Sequence, residues 1–346
     1  MTVPDLTLTM LGATSSGKTT FLLGMYDILS TGLHGYFTFT EDPDQAVDLR
    51  DAWDLLIDEG ELPPPNEVDK SKYYRFVFSH GFNPLVTIDW MDYRGGALDD
   101  RTTSASDVAE LRDRLNRSDS IYLVLDGGNL AKWLDDPAKL AFVQRKLQVR
   151  AMSDQVQRAM HHRRSQNLPF PSIVVIVTKA DLLRGPNRGV GEALSTVVAK
   201  LGDLLPVVLA QGITALVCPV KVGNFGESST GIVDVSTIDP VGLHRPMIFA
   251  LMHYLTLGVG GRKVEMDTAK ASLTEVEREL AALNQGFSAV IHGRKANQLR
   301  GQAASYTNKI AVQNQLSQSD QALIGLLGEE LKDHPILRDG KLEPRQ

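Results

Sequence analysis

Residues 12–19 read GATSSGKT, a G-x-x-x-x-G-K-T spacing. Glycines, a lysine and a hydroxyl in that order suit one chemistry, the holding of a phosphate chain. A glycine-rich turn at the start of a helix aims backbone N–H groups inward, and the helix dipole adds positive potential. Gly12 and Gly17 let the backbone come close to phosphate. Lys18 would reach the β- and γ-phosphates, and the Thr19 hydroxyl would ligate Mg²⁺. The expected cradle is the backbone of Gly12, Ala13, Thr14, Ser15, Ser16, Gly17, Lys18, Thr19 and Thr20. This is the P-loop pattern.

Such a loop works only between a strand and a helix, and the neighbours supply both. Residues 6–11 read as a short strand, and residues 21–29 carry apolar side chains at helical spacing. Residues 73–79 and 85–91 form an expected hairpin ending in Asp92-Tyr93-Arg94-Gly95. In an open α/β sheet, the carboxyl ends of the strands form the ligand edge. There Asp92 would help to hold Mg²⁺, and the Gly95 N–H would approach a terminal phosphate. Residues 172–177, SIVVIV, form a strand followed by Thr178-Lys179-Ala180-Asp181. Residues 213–219 read as the last strand, with Val220-Lys221 just past it. Residues 120–129, SIYLVLDGGN, read as a central strand buried on both faces. Asp126-Gly127-Gly128 at its end reads as a turn, with a site role as the alternative.

Helices lie between these strands. They are expected at residues 45–57, 107–115, 135–162, 191–205 and 242–257, with a short strand at residues 36–40. The adjacent His161 and His162, followed by Arg163 and Arg164, do not share a helix face and read as a solvated helix end. Strands alternating with helices imply a doubly wound α/β sheet of about six strands, mostly parallel, flanked by helices. Beyond Lys263 the character changes. Ala269, Leu273, Val276, Leu280, Leu283, Phe287 and Val290 form a heptad-like seam. Residues 292–318 are polar, residues 322–331 read as a further helix, and a flexible tail is expected from Pro335. Hence two domains are expected, residues 1–260 and a helical extension, residues 261–346.

Composition bounds the function. The 346 residues carry a net charge of −6, which offers no basic footprint for nucleic acid. A single cysteine, Cys218, precludes an internal disulfide and suits a reducing cytoplasm. Neither a secretion signal nor a membrane span is expected: the longest apolar stretch, residues 247–260, is too short and includes His253. No internal repeat and no metal-spaced Cys/His cluster stands out.

Taken in order, GATSSGKT, DYRG and TKAD resemble the motif set of Ras-like GTPases in the translation-factor-related P-loop class, over residues 6–257. The resemblance implies GTP/GDP and Mg²⁺ as ligands. It implies that Asp181 accepts two hydrogen bonds from the guanine edge, where adenine would oppose its carboxylate with an acceptor. Lys179 would lie along the base plane and brace the P-loop, with Thr178 standing where asparagine is commoner. Val220 and Lys221 resemble the weak fifth motif that contacts guanine O6, although Cys218 and Pro219 replace its small polar residues.

Departures temper the expected activity. Gly96 stands where the family often has a glutamine that orients the attacking water. Arg94 could supply positive charge in cis, or be a solvated switch residue. Residues 31–70 enlarge the first switch, where Asn66, Thr38 and Thr40 compete for the place of a Mg²⁺-binding threonine. The enlarged segment also resembles bacterial GTPases of conflict systems, including the double-GTPase families. Only one P-loop is present, so a second GTPase would be a separate protein. The expectation is a cytoplasmic GTP-binding switch with slow or partner-stimulated hydrolysis, using Lys18, Arg94 and Gly95. Protein partners or further copies would engage the switch segments and the C-terminal helices. The alternative is a nucleotide-binding scaffold acting through those helices with little turnover. An ATPase would require the TKAD match to be accidental.

Overall fold

The computed structural model describes residues 4–63, 71–93, 105–225, 232–284 and 293–343. The central layer is built from strands whose side chains are apolar on both faces. β1 (Asp5–Gly12) lies between β4 (Asn83–Asp92) and β5 (Ser120–Asp126), parallel to both. β6 (Ser172–Thr178) and β7 (Thr214–Pro219) continue the parallel run beyond β5. Every residue of β5 and β6 is buried, which is why their sequences are continuous rather than alternating. On one face Ile121, Leu123, Leu125, Ile173 and Val175 share a buried core with Leu111, Trp133, Val143 and Met152 of the flanking helices. On the other face Trp90 meets the rings of Phe21, Phe76 and Tyr122.

The sheet is larger than the expected six strands. Nine strands run in the order β11-β10-β7-β6-β5-β1-β4-β3-β2, and both edges are antiparallel. On one side β2 (Tyr36–Thr40) and β3 (Lys72–His80) extend the hairpin. On the other, β10 (Ile336–Arg338) pairs with β7 and β11 (Lys341–Leu342) pairs with β10. The expected flexible tail is therefore a pair of edge strands, anchored by Leu337, which is 3% exposed. Nor is residues 213–219 the last strand: β8 (Lys221–Gly223) and β9 (Ile238–Val241) also form a small separate hairpin.

Helices account for the other differences. α1 (Lys18–Thr31) and α2 (Pro43–Glu59) lie where the periodicity placed them, as does α3 (Ala105–Arg117). α4 (Gly127–Asp135) follows β5 where a turn was expected, and the single helix expected over residues 135–162 is two, α5 (Leu140–Lys146) and α6 (Val149–Ser165). Pro137 starts a separate 3-10 turn, and Gln148 takes a left-handed φ of 54° between α5 and α6. Residues 191–205 likewise divide into α7 (Val190–Ala199) and α8 (Leu201–Leu204). The end of α6 is not wholly solvated. Arg163 is 6% exposed and donates to the carbonyls of Pro169, Asn116 and Ser118. Cys218 is fully buried, and burial pushes its thiol up to about 12, as fits a core residue.

The chain divides into two compact units, Met1–Leu251 with Leu331–Gln346, and Met252–Glu330. The expected boundary at residue 260 falls inside α9 (Arg245–Asn284), a continuous helix of 40 residues. The helix expected to end at residue 257 runs on through the glycines at 258, 260 and 261. In the second unit, α9 pairs antiparallel with α10 (Gly293–Glu329), which absorbs the two segments expected separately. Lys295 meets Glu279 at 3.9 Å, and Lys309 meets Glu265 at 3.7 Å. Arg262 pairs with Asp320 and donates to Ser317 Oγ. Of the heptad-like seam, Ala269 is buried and Leu273, Val276, Leu280 and Leu283 are half-buried. Phe287 and Val290 lie outside the described residues.

The returning segment has a measurable consequence. His334 titrates at about 4, lowered first by burial and then by Arg245 and His244, with Asp333 opposing. An unfolded histidine takes up its proton near pH 6.5. Between the two values the unfolded state binds more protons, so stability is full above pH 6.5 and falls as pH drops towards 4. Urea unfolding at pH 7 and pH 4 should show His334→Gln losing about 2 kcal/mol less than the parent. Equal losses would show that this side chain does not contribute to acid sensitivity.

Candidate functional site

The site begins at the junction of β1 and α1. Gly17 caps α1 in the left-handed region (φ 84°), and no side chain caps the helix start. An uncapped start leaves backbone amides suited to an anion. Ser15 is also left-handed (φ 60°), and the Ser16 N–H donates to Ala13 O at 3.2 Å, closing the turn. Gly12 answers a close approach: a Cβ there would stand 2.9 Å from both Ser16 Oγ and Val124 Cβ. Ala13 is buried, whereas Thr14 and Ser15 are exposed and Thr19 and Thr20 are half-buried.

Lys18 is 6% exposed, and its ammonium donates to Gly12 O at 3.0 Å and Ala13 O at 3.1 Å. Burial lowers its pKa, and the charge of Asp92 works against that shift. Register explains the coupling: Asp92 pairs with Met10, two residues before Gly12, and is itself fully buried. The expected placement of a carboxylate at this strand end, beside the first loop, is thus what the sheet delivers. Arg94, Gly95 and Gly96 lie outside the described residues, as does Asn66. Thr38 and Thr40 sit on β2, which β3 and β4 separate from β1. The Thr38 hydroxyl faces Met247 Sδ at 3.9 Å, and that of Thr40 donates to Asp42 O at 2.6 Å.

The end of β6 closes on the loop from the other side. Thr178 Oγ1 donates to Ser16 O at 2.6 Å and to Leu125 O at 3.2 Å. Lys179 adopts a left-handed φ of 49°, and its ammonium donates to Ser15 O at 3.1 Å. Asp181, half-buried, is the second residue of the 3-10 turn Ala180–Leu183. The Ala180 N–H donates to Val220 O at 3.2 Å, and the Val220 N–H to Val177 O at 2.8 Å, so both expected base-contacting segments are stitched together. The Lys221 ammonium turns to Asp239, at 2.7 Å, within the β8–β9 hairpin.

Two members of this edge, Asp126 and Gly127, read from the sequence as a turn, with a site role only as the alternative. Asp126 lies 2.5 Å from the Lys179 ammonium, and Gly127 lets the β6 loop approach: a Cβ on Gly127 would stand 2.5 Å from the carbonyl oxygens of both Thr178 and Lys179. The D-G-G run was visible, but its partner lies far along the chain.

A Mg²⁺ ion fits these residues. It favours oxygen donors and keeps water and phosphate among its ligands rather than filling a protein cage. The Thr19 hydroxyl and the Asp92 carboxylate are such donors, and the buried Ser16 Oγ has no hydrogen-bond partner among the described residues. Among the described residues no three or more His, Cys, Asp or Glu are grouped so as to hold a metal ion, and an ion on Thr19 and Asp92 would take phosphate and water as its further ligands. A search against protein-family models and a search of curated proteins both found no match for the chain.

Proposed function

We propose that this protein binds GTP and GDP with Mg²⁺ and acts as a switch that hydrolyses GTP slowly or with a partner's help. The observation that carries this reading is the convergence at one sheet edge. The loop of residues 12–19, Asp92 and the Thr178 and Lys179 side chains anchored to that loop lie at the ends of β1, β4 and β6, members of one parallel run in the order β4-β1-β5-β6. Strand order supports it, because β4 and β5 leave β1 on opposite sides, and ligands of open α/β sheets sit at such a switch point.

On this reading Lys18 and the amides of the loop hold the phosphates, and Thr19 and Asp92 hold the ion. The metal supplies charge neutralisation as the phosphoryl group transfers. Asp181 accepts hydrogen bonds from guanine, Lys179 flanks the base, and the Val220-Lys221 backbone borders it. Arg94 and Gly95 would act on the terminal phosphate. Partner proteins would meet the switch segments or the α9–α10 hairpin, whose exposed Val264 and Val312 favour a scaffold role as the second reading.

Purified protein with Mg²⁺ should bind GTP and GDP in preference to ATP. Asp181→Asn should weaken GDP about tenfold or more and favour xanthosine nucleotides, because guanine's N–H groups lose their carboxylate acceptor. Equal binding of ATP and GTP, or an unchanged preference in the variant, would leave a phosphate-binding protein without a guanine reader. Binding without turnover, even with a partner, would favour the scaffold.

A further inference from the structure

The geometry points to Asp126 as a positioning residue for nucleotide binding, acting through Lys179. Asp126 ends β5, is 7% exposed and divides its carboxylate between two tasks. Oδ1 accepts from the Asn129 backbone N–H at 2.8 Å and from Asn129 Nδ2 at 3.1 Å, which caps α4. Oδ2 lies 2.5 Å from the Lys179 ammonium. That ammonium also donates to Ser15 O, in the middle of the phosphate loop.

A chain of contacts therefore runs from β5 through Lys179 to the phosphate loop. Each link has a distinct physical role. Lysine is flexible, and one exposed carbonyl would hold its ammonium weakly. The carboxylate is mostly buried while the Lys179 side chain is 42% exposed, so the pair is screened at one end only. Fixing the ammonium fixes Lys179, whose backbone is already held left-handed beside Asp181. The base-side loop and the phosphate loop are thereby set in register before ligand arrives. This assignment rests on the nucleotide-binding reading above.

The division of the carboxylate makes a clean test. Asparagine at position 126 keeps the Oδ1 acceptor and is a good helix cap, but lacks the charge at Oδ2. GDP release from the full chain would be followed by fluorescence for the parent, Asp126→Asn, Lys179→Gln and the double variant. Thermal unfolding would be recorded without nucleotide. Asp126→Asn should release GDP about tenfold faster, since it removes one partner of a hydrogen-bonded charge pair. Its nucleotide-free melting point should stay within about two degrees of the parent, because the cap survives. The double variant should be no worse than Lys179→Gln, the non-additivity expected of residues acting as one unit.

Unchanged GDP release in Asp126→Asn would overturn the assignment, as would additive losses in the double variant. A matching fall in melting point would show a structural role only. If the parent binds no guanine nucleotide, the nucleotide-binding reading itself fails and takes this role with it. That failure is visible in the parent alone.

Discussion

Lys18→Met should weaken GTP and GDP binding about a hundredfold or more, while leaving the melting temperature unchanged or slightly raised. The two halves of this expectation have different origins. A lysine facing phosphate makes charge-assisted contacts, and removing one partner of a desolvated charge pair costs about 2–5 kcal/mol. The stability side follows from the ligand-free protein. Lys18 is 6% exposed, and burial is the dominant influence on its ammonium, lowering the pKa. Its two carbonyl partners and the charge of Asp92 offset that cost only in part. Methionine fills similar volume without a charge to desolvate. Because burial outweighs the attraction of Asp92 in lowering the Lys18 pKa, the ammonium is a net cost to the ligand-free fold, and its removal relieves more than the lost attraction to Asp92. Calorimetric titration and thermal unfolding on the same samples separate the outcomes. A melting point that falls in step with the affinity would make Lys18 a structural residue of the loop. Full affinity in the variant would remove the phosphate site from residues 12–19.

The parts of this site that were legible in the sequence are those fixed by local spacing. GATSSGKT signals a turn between strand and helix, and the flanking residues supply both elements. The parallel strands were legible because burial on both faces requires long apolar runs, as in SIVVIV. Edge strands lack that signal. β8 and β10 are three residues long and β11 two, too short for any period to emerge. Residues 336–342 looked like a tail because their order comes from pairing with β7, which no local pattern encodes. Asp126 illustrates the same limit at the site. D-G-G is a turn signal, and the structure makes it a helix cap with Oδ1. What the sequence could not show was Oδ2 reaching a lysine that left-handed backbone at position 179 turns back towards the phosphate loop.

Gly127→Ala should destabilise the fold by about 1–3 kcal/mol and weaken GDP binding roughly tenfold or more, because overpacking at this contact displaces backbone. Two effects oppose each other. Gly127 opens α4 without a left-handed φ, so alanine suits its conformation and, as a better helix former, would gain up to about 1 kcal/mol. Against this, the new Cβ would stand 2.5 Å from the carbonyl oxygens of Thr178 and Lys179, and 3.1 Å from the Lys179 carbonyl carbon. Backbone cannot rotate out of the way as a side-chain tip can, so β6's end must shift. That shift would carry off the Thr178 bond to Ser16 O and the Lys179 bond to Ser15 O, which tie it to the phosphate loop. Gly128→Ala is the control. Its Cβ would meet Leu182 Cδ1 at 3.0 Å, the end of a flexible side chain, and Asp126 Oδ1 at 3.3 Å. That variant should stay within about 1 kcal/mol of the parent, as a contact with a movable methyl allows. Denaturant unfolding and GDP titration of both variants decide the matter. If Gly127→Ala proved as stable and as tight as the parent, the close approach of the β5 and β6 ends would not be what sets the site's geometry.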